Sequence, residues 1–92
     1  MTPEQTLPLY SGGDGSTIEK AVVINATSTS IGVLAEYEYV SSIYGQQNAD
    51  WTMVRQSLTV HVGNNYDVLL IKLNRGEDKS VCFDITHFFG KP

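Results

Sequence analysis

The sequence predicts a two-layer α+β domain in which one helix packs against a sheet of four mostly antiparallel strands. Three observations support this fold class. The last third of the chain alternates apolar and polar residues in two runs, Tyr66–Asn74 and Lys79–His87. The same alternation occurs in Trp51–Val62, whereas Ile31–Tyr44 fits a helical stripe. Alternation is typical of half-buried strands, so with a first strand at Ile18–Ala26 the predicted order is β-α-β-β-β.

The last two strands are predicted to form a hairpin through a three-residue loop, Arg75 to Glu77. Neighbouring strands must place their apolar side chains on the same face, and a slip of one residue would invert one strand. A three-residue loop meets this condition, whereas a two-residue loop does not. The predicted pairs are Ile71 with Val81 and Leu69 with Phe83. Gly76 supplies the left-handed residue that such loops need.

The preceding strand extends the same apolar face. A two-residue turn at Asn64-Asn65, a composition that tolerates positive φ, places Val60 opposite Leu69 and Leu58 opposite Ile71. The apolar face then runs across three strands beneath the helix. Its predicted core residues are Leu58, Val60, Leu69, Ile71, Val81, Phe83 and Ile85.

The segment Ile31–Tyr44 is compatible with either a strand or a helix. Its length favours the helix, because the apolar pattern continues over three turns. The helical stripe consists of Val33, Tyr37, Val40 and Tyr44. Ser28 to Ser30 offer an N-cap, and Gly45 follows as the C-terminal glycine.

The first strand, Ile18–Ala26, contains a short continuous apolar run, which indicates burial on both faces or a central position. The sequence does not decide which strand lies beside it. The two alternatives are that it flanks the last strand or that it pairs with the second predicted strand.

The chain is predicted to form a single domain, with a flexible N-terminal arm and glycine-rich loop over 1–16 and a folded core over 17–90. Thr2 and Pro3 could begin one helical turn, although a frayed arm is the favoured interpretation. The loop Ser11–Ser16 could cradle a phosphate. It lacks the spacing and the Lys-Ser/Thr of a P-loop, so a flexible connection to the first strand is favoured.

The composition excludes some classes of partner. The 92 residues carry a formal net charge of −4 with only 6 Lys and Arg, which argues against nucleic acid and against an anionic membrane surface. No apolar run approaches the ~20 residues of a membrane span, and no signal peptide is recognisable. The single cysteine, Cys82, excludes an internal disulfide. We expect a soluble, cytoplasmic protein.

The second face of the sheet is the predicted partner or ligand face, because one helix cannot cover both faces. The candidate residues on this face are Thr59, His61, Tyr66, Val68, Leu70, Cys82 and Asp84. In the predicted register, His61 and Asp84 lie on either side of Val68, with their Cα atoms about 10 Å apart. This distance is too long for a direct hydrogen bond, but a bound ligand could bridge the two side chains. No metal site, cofactor or catalytic residue is predicted. Glu36 and Glu38 diverge on the helix and are interpreted as a solvated flank.

Aromatic residues form a second candidate surface near the end of the helix. They are Tyr37, Tyr39, Tyr44 and Trp51. Aromatic side chains with a polar tip are enriched at interfaces, but they also commonly cover a small core. Both interpretations are retained.

The leading functional hypothesis is a non-enzymatic binding or protein-interaction module, homodimeric through the second sheet face or the aromatic residues. An unknown protein partner is also possible. A first alternative is a small enzyme or ligand-binding protein that uses His61, Asp84 and Tyr66. A second alternative is an acidic inhibitor or immunity-type protein, for which size and charge are the only support.

Overall fold

The structure is a computed structural model that describes residues 8–92, and it has the predicted α+β fold. One helix packs against a mixed sheet of five strands. The elements are β1 Tyr10–Gly12, β2 Val22–Ile24, α1 Thr29–Tyr44, β3 Trp51–His61, β4 Asn64–Leu73 and β5 Asp78–Asp84. The sheet order is β1-β2-β5-β4-β3.

The strand count corrects the prediction of four. The additional strand, β1, lies within the segment 1–16 that was assigned to a flexible arm and loop. It pairs antiparallel with β2, with Tyr10 opposite Ile24. Three residues are too few for a recognisable alternation, so the sequence pattern could not reveal this strand. The predicted helical turn at Thr2 and Pro3 lies outside the described residues.

The position of the first predicted strand is now defined. Its central residues form β2, which runs parallel to β5 with Val22 opposite Phe83. The chain therefore passes from β2 through α1 and the β3-β4-β5 meander before it returns beside its own start. This path places α1 over the centre of the sheet.

The helix ends at Tyr44 as predicted and begins at Thr29, two residues before the predicted start at Ile31. The backbone N–H of Ile31 donates to Ser28 Oγ at 3.4 Å, and Gly45 follows the last turn with φ 104°. The residues that it buries against the sheet are Gly32, Ala35, Glu36 and Val40. Of the predicted stripe, Val40 is buried, Tyr37 and Tyr44 are half-buried, and Val33 is exposed. No helix within residues 8–92 combines the length and apolar character needed to cross a membrane.

The core beneath α1 confirms most of the predicted residues. Leu69, Ile71, Val81, Phe83 and Ile85 are all buried, with Leu69, Ile71 and Phe83 fully so. Two residues were assigned wrongly. Leu58 and Val60 lie on the predicted face, but they are 58% and 69% exposed.

The β3–β4 turn explains this error. The chain reverses at Val62-Gly63 rather than at Asn64-Asn65, and Val62 adopts φ 50°. A β-branched residue rarely occupies this left-handed region, so sequence rules favour the asparagines. The earlier turn places Leu58 opposite Asp67 instead of Ile71, and Val60 opposite Asn65 instead of Leu69.

The β4–β5 register also differs from the prediction. Leu69 lies opposite Val81, not Phe83, and Ile71 lies opposite Lys79, not Val81. The loop keeps its three-residue length but occupies 74–76, one residue earlier. A shift of two residues in the pairing preserves the faces, because side chains repeat every second residue. For this reason the apolar residues of both strands remain in the core.

The positive φ predicted for Gly76 is confirmed at 100°. A Cβ added there would meet nothing within 4 Å, so a substitution would act through backbone strain alone. We expect Gly76→Val to lower the free energy of unfolding by about 1 kcal/mol or more in urea unfolding. Gly76→Asn is the control and should cost less, because asparagine tolerates this conformation. Equal losses for the two variants would contradict the explanation by strain.

Candidate functional site: a cavity with two buried carboxyl groups

A cavity of about 510 Å³ opens between α1, the outer part of the β3–β4 hairpin and the C-terminal segment 85–91. Its helix and sheet walls are formed by Thr29, Val33, Glu36, Gln56, Leu58 and Asp67. The C-terminal segment contributes Ile85, Phe88, Phe89 and Gly90. We refer to this space as the carboxyl cavity. Its volume is within the usual range for small-molecule sites.

The C-terminal wall is held in place by α1 and by β4. The Phe88 ring lies directly on Gly32 of α1, where an added Cβ would be only 2.4 Å from the ring. The Thr29 hydroxyl donates to the carbonyls of Phe88 and Lys91. The Ile85 N–H donates to the Asn65 carbonyl at 2.9 Å. The segment is thus fixed at both ends, and the glycine permits its close approach to the helix.

The sheet wall results from the observed turn at Val62-Gly63. Because Leu58 lies opposite Asp67 in this register, an apolar side chain and a carboxylate share the face that points toward α1. Gln56 lies two residues earlier on β3, and its Nε2 donates to Asp67 Oδ2 at 2.7 Å. The wall is therefore apolar at its rim and polar at its base.

Glu36 and Asp67 form the base of the cavity. Their side chains are almost completely enclosed, with 1% and 3% of the residue exposed, respectively. Both oxygens of Glu36 and Oδ1 of Asp67 have no hydrogen-bond donor among the described residues. A buried carboxylate without donors is costly, and such groups commonly mark functional sites.

The protonation of Glu36 responds to this environment. Burial raises its pKa to about 10, and the hydrogen bond with Asp67 and the charge of that neighbour act in the same direction. Glu36 is accordingly neutral near about pH 7, and its proton supplies the donor that Asp67 Oδ1 lacks. Two enclosed carboxyl groups that hold one proton can exchange it for a bound cation.

These two carboxyl groups do not constitute a metal site. Among residues 8–92, no group of three or more His, Cys, Asp or Glu side chains could hold a metal ion. Calcium requires six to eight oxygen ligands and magnesium near-octahedral geometry. The apolar walls favour an organic group instead.

The predicted second-face residues are only partly available. Thr59 and His61 are exposed, Val68, Leu70 and Asp84 are half-buried, and Tyr66 and Cys82 are buried. The predicted arrangement of His61 and Asp84 around Val68 is wrong, because the register differs: His61 lies opposite Asn64, and Asp84 lies opposite Tyr66. The His61 and Tyr66 rings are 6.4 Å apart. Asp84 Oδ1 accepts from the N–H and hydroxyl of Thr86, so one of the two carboxylate oxygens is engaged within the protein.

The residues that follow the glycine-rich loop cover part of this second face. Ile18 and Ala21 pack with Tyr66, Val68 and Cys82 in a small cluster separate from the main core. The Gly15 carbonyl accepts from the Cys82 N–H at 2.8 Å. Burial raises the pKa of the Cys82 thiol, as expected for a packing residue. The glycine-rich loop is therefore hydrogen-bonded to the backbone of β5.

The aromatic residues belong to the core. Trp51 is 1% exposed, and its Nε1 donates to the Gly45 carbonyl at 2.8 Å. Tyr39 lies edge-on to Phe83, with ring centroids 5.6 Å apart, and Tyr37 and Tyr44 also pack against the core. The structure therefore favours the interpretation that these aromatic residues cover the core over the interpretation that they form an exposed interface.

The interpretation of Glu36 as solvated is wrong, and the site was missed for this reason. Glu36 is four residues from both Gly32 and Val40, and all three point toward the sheet. Asp67 shares the parity of Leu69 and lies on the same face. These spacings were visible in the sequence, but the pairing of the two carboxyl groups required the tertiary structure.

No protein-family model, curated protein or solved structure matches this chain, so a functional proposal has to rest on the geometry of the described residues.

Proposed function

We propose that this chain is a non-enzymatic protein-interaction module that pairs with a second copy of itself along β3. The main support for this proposal is the position and length of that strand. β3 has 11 residues and lies at the edge of the sheet, where β4 is its strand partner. Edge strands present unpaired backbone groups and readily add another strand.

The side chains of β3 support this proposal. The run 56–60 contains no charged residue. Natural edge strands are commonly protected by charges, prolines or short length. Leu58 and Val60 are instead exposed, and Val62 at the hairpin tip is 85% exposed in a strained conformation. Exposed apolar groups with local strain are typical of binding surfaces.

The backbone geometry is suited to self-pairing. His61 and Asn64 close a two-residue loop, so they form a hydrogen-bonded pair. Hydrogen-bonded and non-hydrogen-bonded pairs alternate along an antiparallel ladder, and the backbone groups of the non-hydrogen-bonded residues point away from the partner strand. We therefore expect the backbone groups of Gln56, Leu58 and Val60 to point to the free edge. A two-fold arrangement centred on Leu58 would join these groups across two copies. It would also place apolar side chains from both copies on one face.

Sedimentation at micromolar concentrations tests this proposal. We expect the parent to be a dimer and Leu58→Lys to be a monomer, since the new charge would lie unpaired in the contact. Leu34→Lys is a matched control, because Leu34 and Leu58 are each 58% exposed and Leu34 lies on α1. The control should remain dimeric. A monomeric parent would contradict the proposal.

A further variant separates the edge from the second sheet face. Leu70 lies on that face and is half-buried. If Leu70→Lys dissociates the dimer and Leu58→Lys does not, the contact lies on the second face and the assignment to β3 is wrong. Dissociation by Leu58→Lys alone supports the edge.

The other hypotheses have weaker support. An enzyme centred on His61, Asp84 and Tyr66 would have to use a carboxylate with one oxygen bound by Thr86 and a tyrosine that is buried. An acidic inhibitor still rests only on the small size of the chain and its net charge of −4. The cytoplasmic location stays a prediction.

A further inference from the structure

We propose that the carboxyl cavity binds a small organic cation, an ammonium or guanidinium group on an apolar body, which replaces the proton shared by the carboxyl groups of Glu36 and Asp67. This inference goes beyond the proposed self-pairing and does not depend on it. It rests on the enclosure of the two carboxyl groups, their unpartnered oxygens and the apolar character of the surrounding walls.

The polar base of the cavity matches the donors of an ammonium group. Apart from the proton that the two carboxyl groups share, three oxygens have no hydrogen-bond partner among the described residues, namely both of Glu36 and Oδ1 of Asp67. An ammonium group has three N–H donors and no acceptor. The remaining Asp67 oxygen, Oδ2, already accepts from Gln56 Nε2 at 2.7 Å. Charge-assisted hydrogen bonds of this type are stronger than neutral ones.

The walls indicate what the cation should be attached to. Val33, Leu58, Ile85, Phe88 and Phe89 surround the base, and the cavity is large enough for a ring of six atoms. Phe89 at the rim is 44% exposed, so its ring is available for contact. Aromatic faces add a favourable interaction with a cation. A strongly hydrated inorganic ion would gain little from such walls.

Calorimetric titration with 2-phenylethylamine tests the proposal, and 2-phenylethanol serves as the uncharged probe of similar shape. We expect the amine to bind roughly ten-fold or more tightly than the alcohol, because the alcohol retains the ring but not the charge. Equal binding of the two probes, or binding of neither, would overturn the proposal.

Variants locate the binding site on the protein. Glu36→Gln keeps the size of the side chain and removes its charge, and it should weaken binding of the amine roughly ten-fold. Glu38→Gln is the matched control, because it removes one acidic group from an exposed position of the same helix. It should bind like the parent. If both variants weaken binding equally, the amine responds to net charge and the cavity is not the site.

A measurement on the parent alone does not depend on the folding of a variant. Glu36 and Asp67 are the only ionisable residues among the described residues that line the cavity, and Gln56 is the neutral group that faces them. If the cation replaces the proton held between them, binding should release about one proton near about pH 7. The apparent enthalpy would then differ between phosphate and Tris buffers. An enthalpy independent of the buffer would mean that the amine binds elsewhere.

A second probe identifies the source of the cation. It is an acetylated peptide amide with one lysine between two leucines. Tighter binding of the peptide than of the amine assigns the cation to a basic side chain of another protein. Binding of the amine alone assigns it to a free small molecule. Both outcomes support an organic-cation site, whereas failure of both probes rejects it. Neither result bears on the dimer, which sedimentation measures separately.

Discussion

Phe83→Ala is expected to lower the free energy of unfolding by roughly 3–5 kcal/mol, which is the usual cost of truncating a fully packed phenylalanine. Phe83 is 0% exposed and lies opposite Val22 of β2 and Asp67 of β4. Its ring also packs against Tyr39 of α1. The substitution would thus leave a cavity at the junction of the helix and three strands. Urea unfolding followed by circular dichroism measures the loss.

Phe89→Ala is the matched control for this prediction. It removes the same side chain from a residue that is 44% exposed, so it should cost about 1 kcal/mol. A loss below about 1 kcal/mol for Phe83→Ala, or equal losses for both variants, would mean that Phe83 does not lie in the core.

Raising the pH is expected to destabilise the parent protein through Glu36. Burial raises the pKa of this carboxyl in the folded state from 4.5 to about 10, so between these values the folded chain binds more protons than the unfolded chain. The stabilising contribution is complete below about pH 4.5 and is lost progressively as the pH rises toward about 10. The maximum slope for one proton is about 1.4 kcal/mol per pH unit.

Glu36→Gln isolates this contribution. The amide can donate to Asp67 Oδ1 as the protonated carboxyl does, but it does not titrate. We expect the two proteins to have similar stability at about pH 5. The variant should become the more stable protein by several kcal/mol by about pH 9. Parallel pH profiles for the parent and this variant in urea unfolding would show that Glu36 is not enclosed as described. Glu38→Gln should retain the pH dependence of the parent.

The local patterns of the sequence were sufficient for the element types. The helix could be predicted because its apolar stripe is bounded by Ser28 and Gly45, which cap its ends through local hydrogen bonds. The long strands could be predicted because alternation over ten or so residues is incompatible with a buried helical face. The core residues of β4 and β5 were predicted correctly although the predicted register was wrong, because a shift of two residues does not change the face on which a side chain lies.

The pairing of the strands could not be predicted in the same way. Register depends on the turn, and Val62 occupies a left-handed conformation that a β-branched residue rarely adopts. The short strand β1 and the parallel contact of β2 with β5 are likewise stabilised by distant residues. Leu58 and Val60 were assigned to the core because the predicted turn placed them under the helix.

Sequence by itself determined the fold class, the helix and its C-terminal end, and the faces of the two central strands, because these depend on interactions between residues close in the chain. Only the tertiary structure decided that β3 is an exposed edge and that Glu36 meets Asp67 at the buried base of the carboxyl cavity. The physical reason is that both features arise between elements. A carboxyl group on a helix is solvated or buried according to what packs over it, and here Phe88, Leu58 and the β4 carboxylate enclose it.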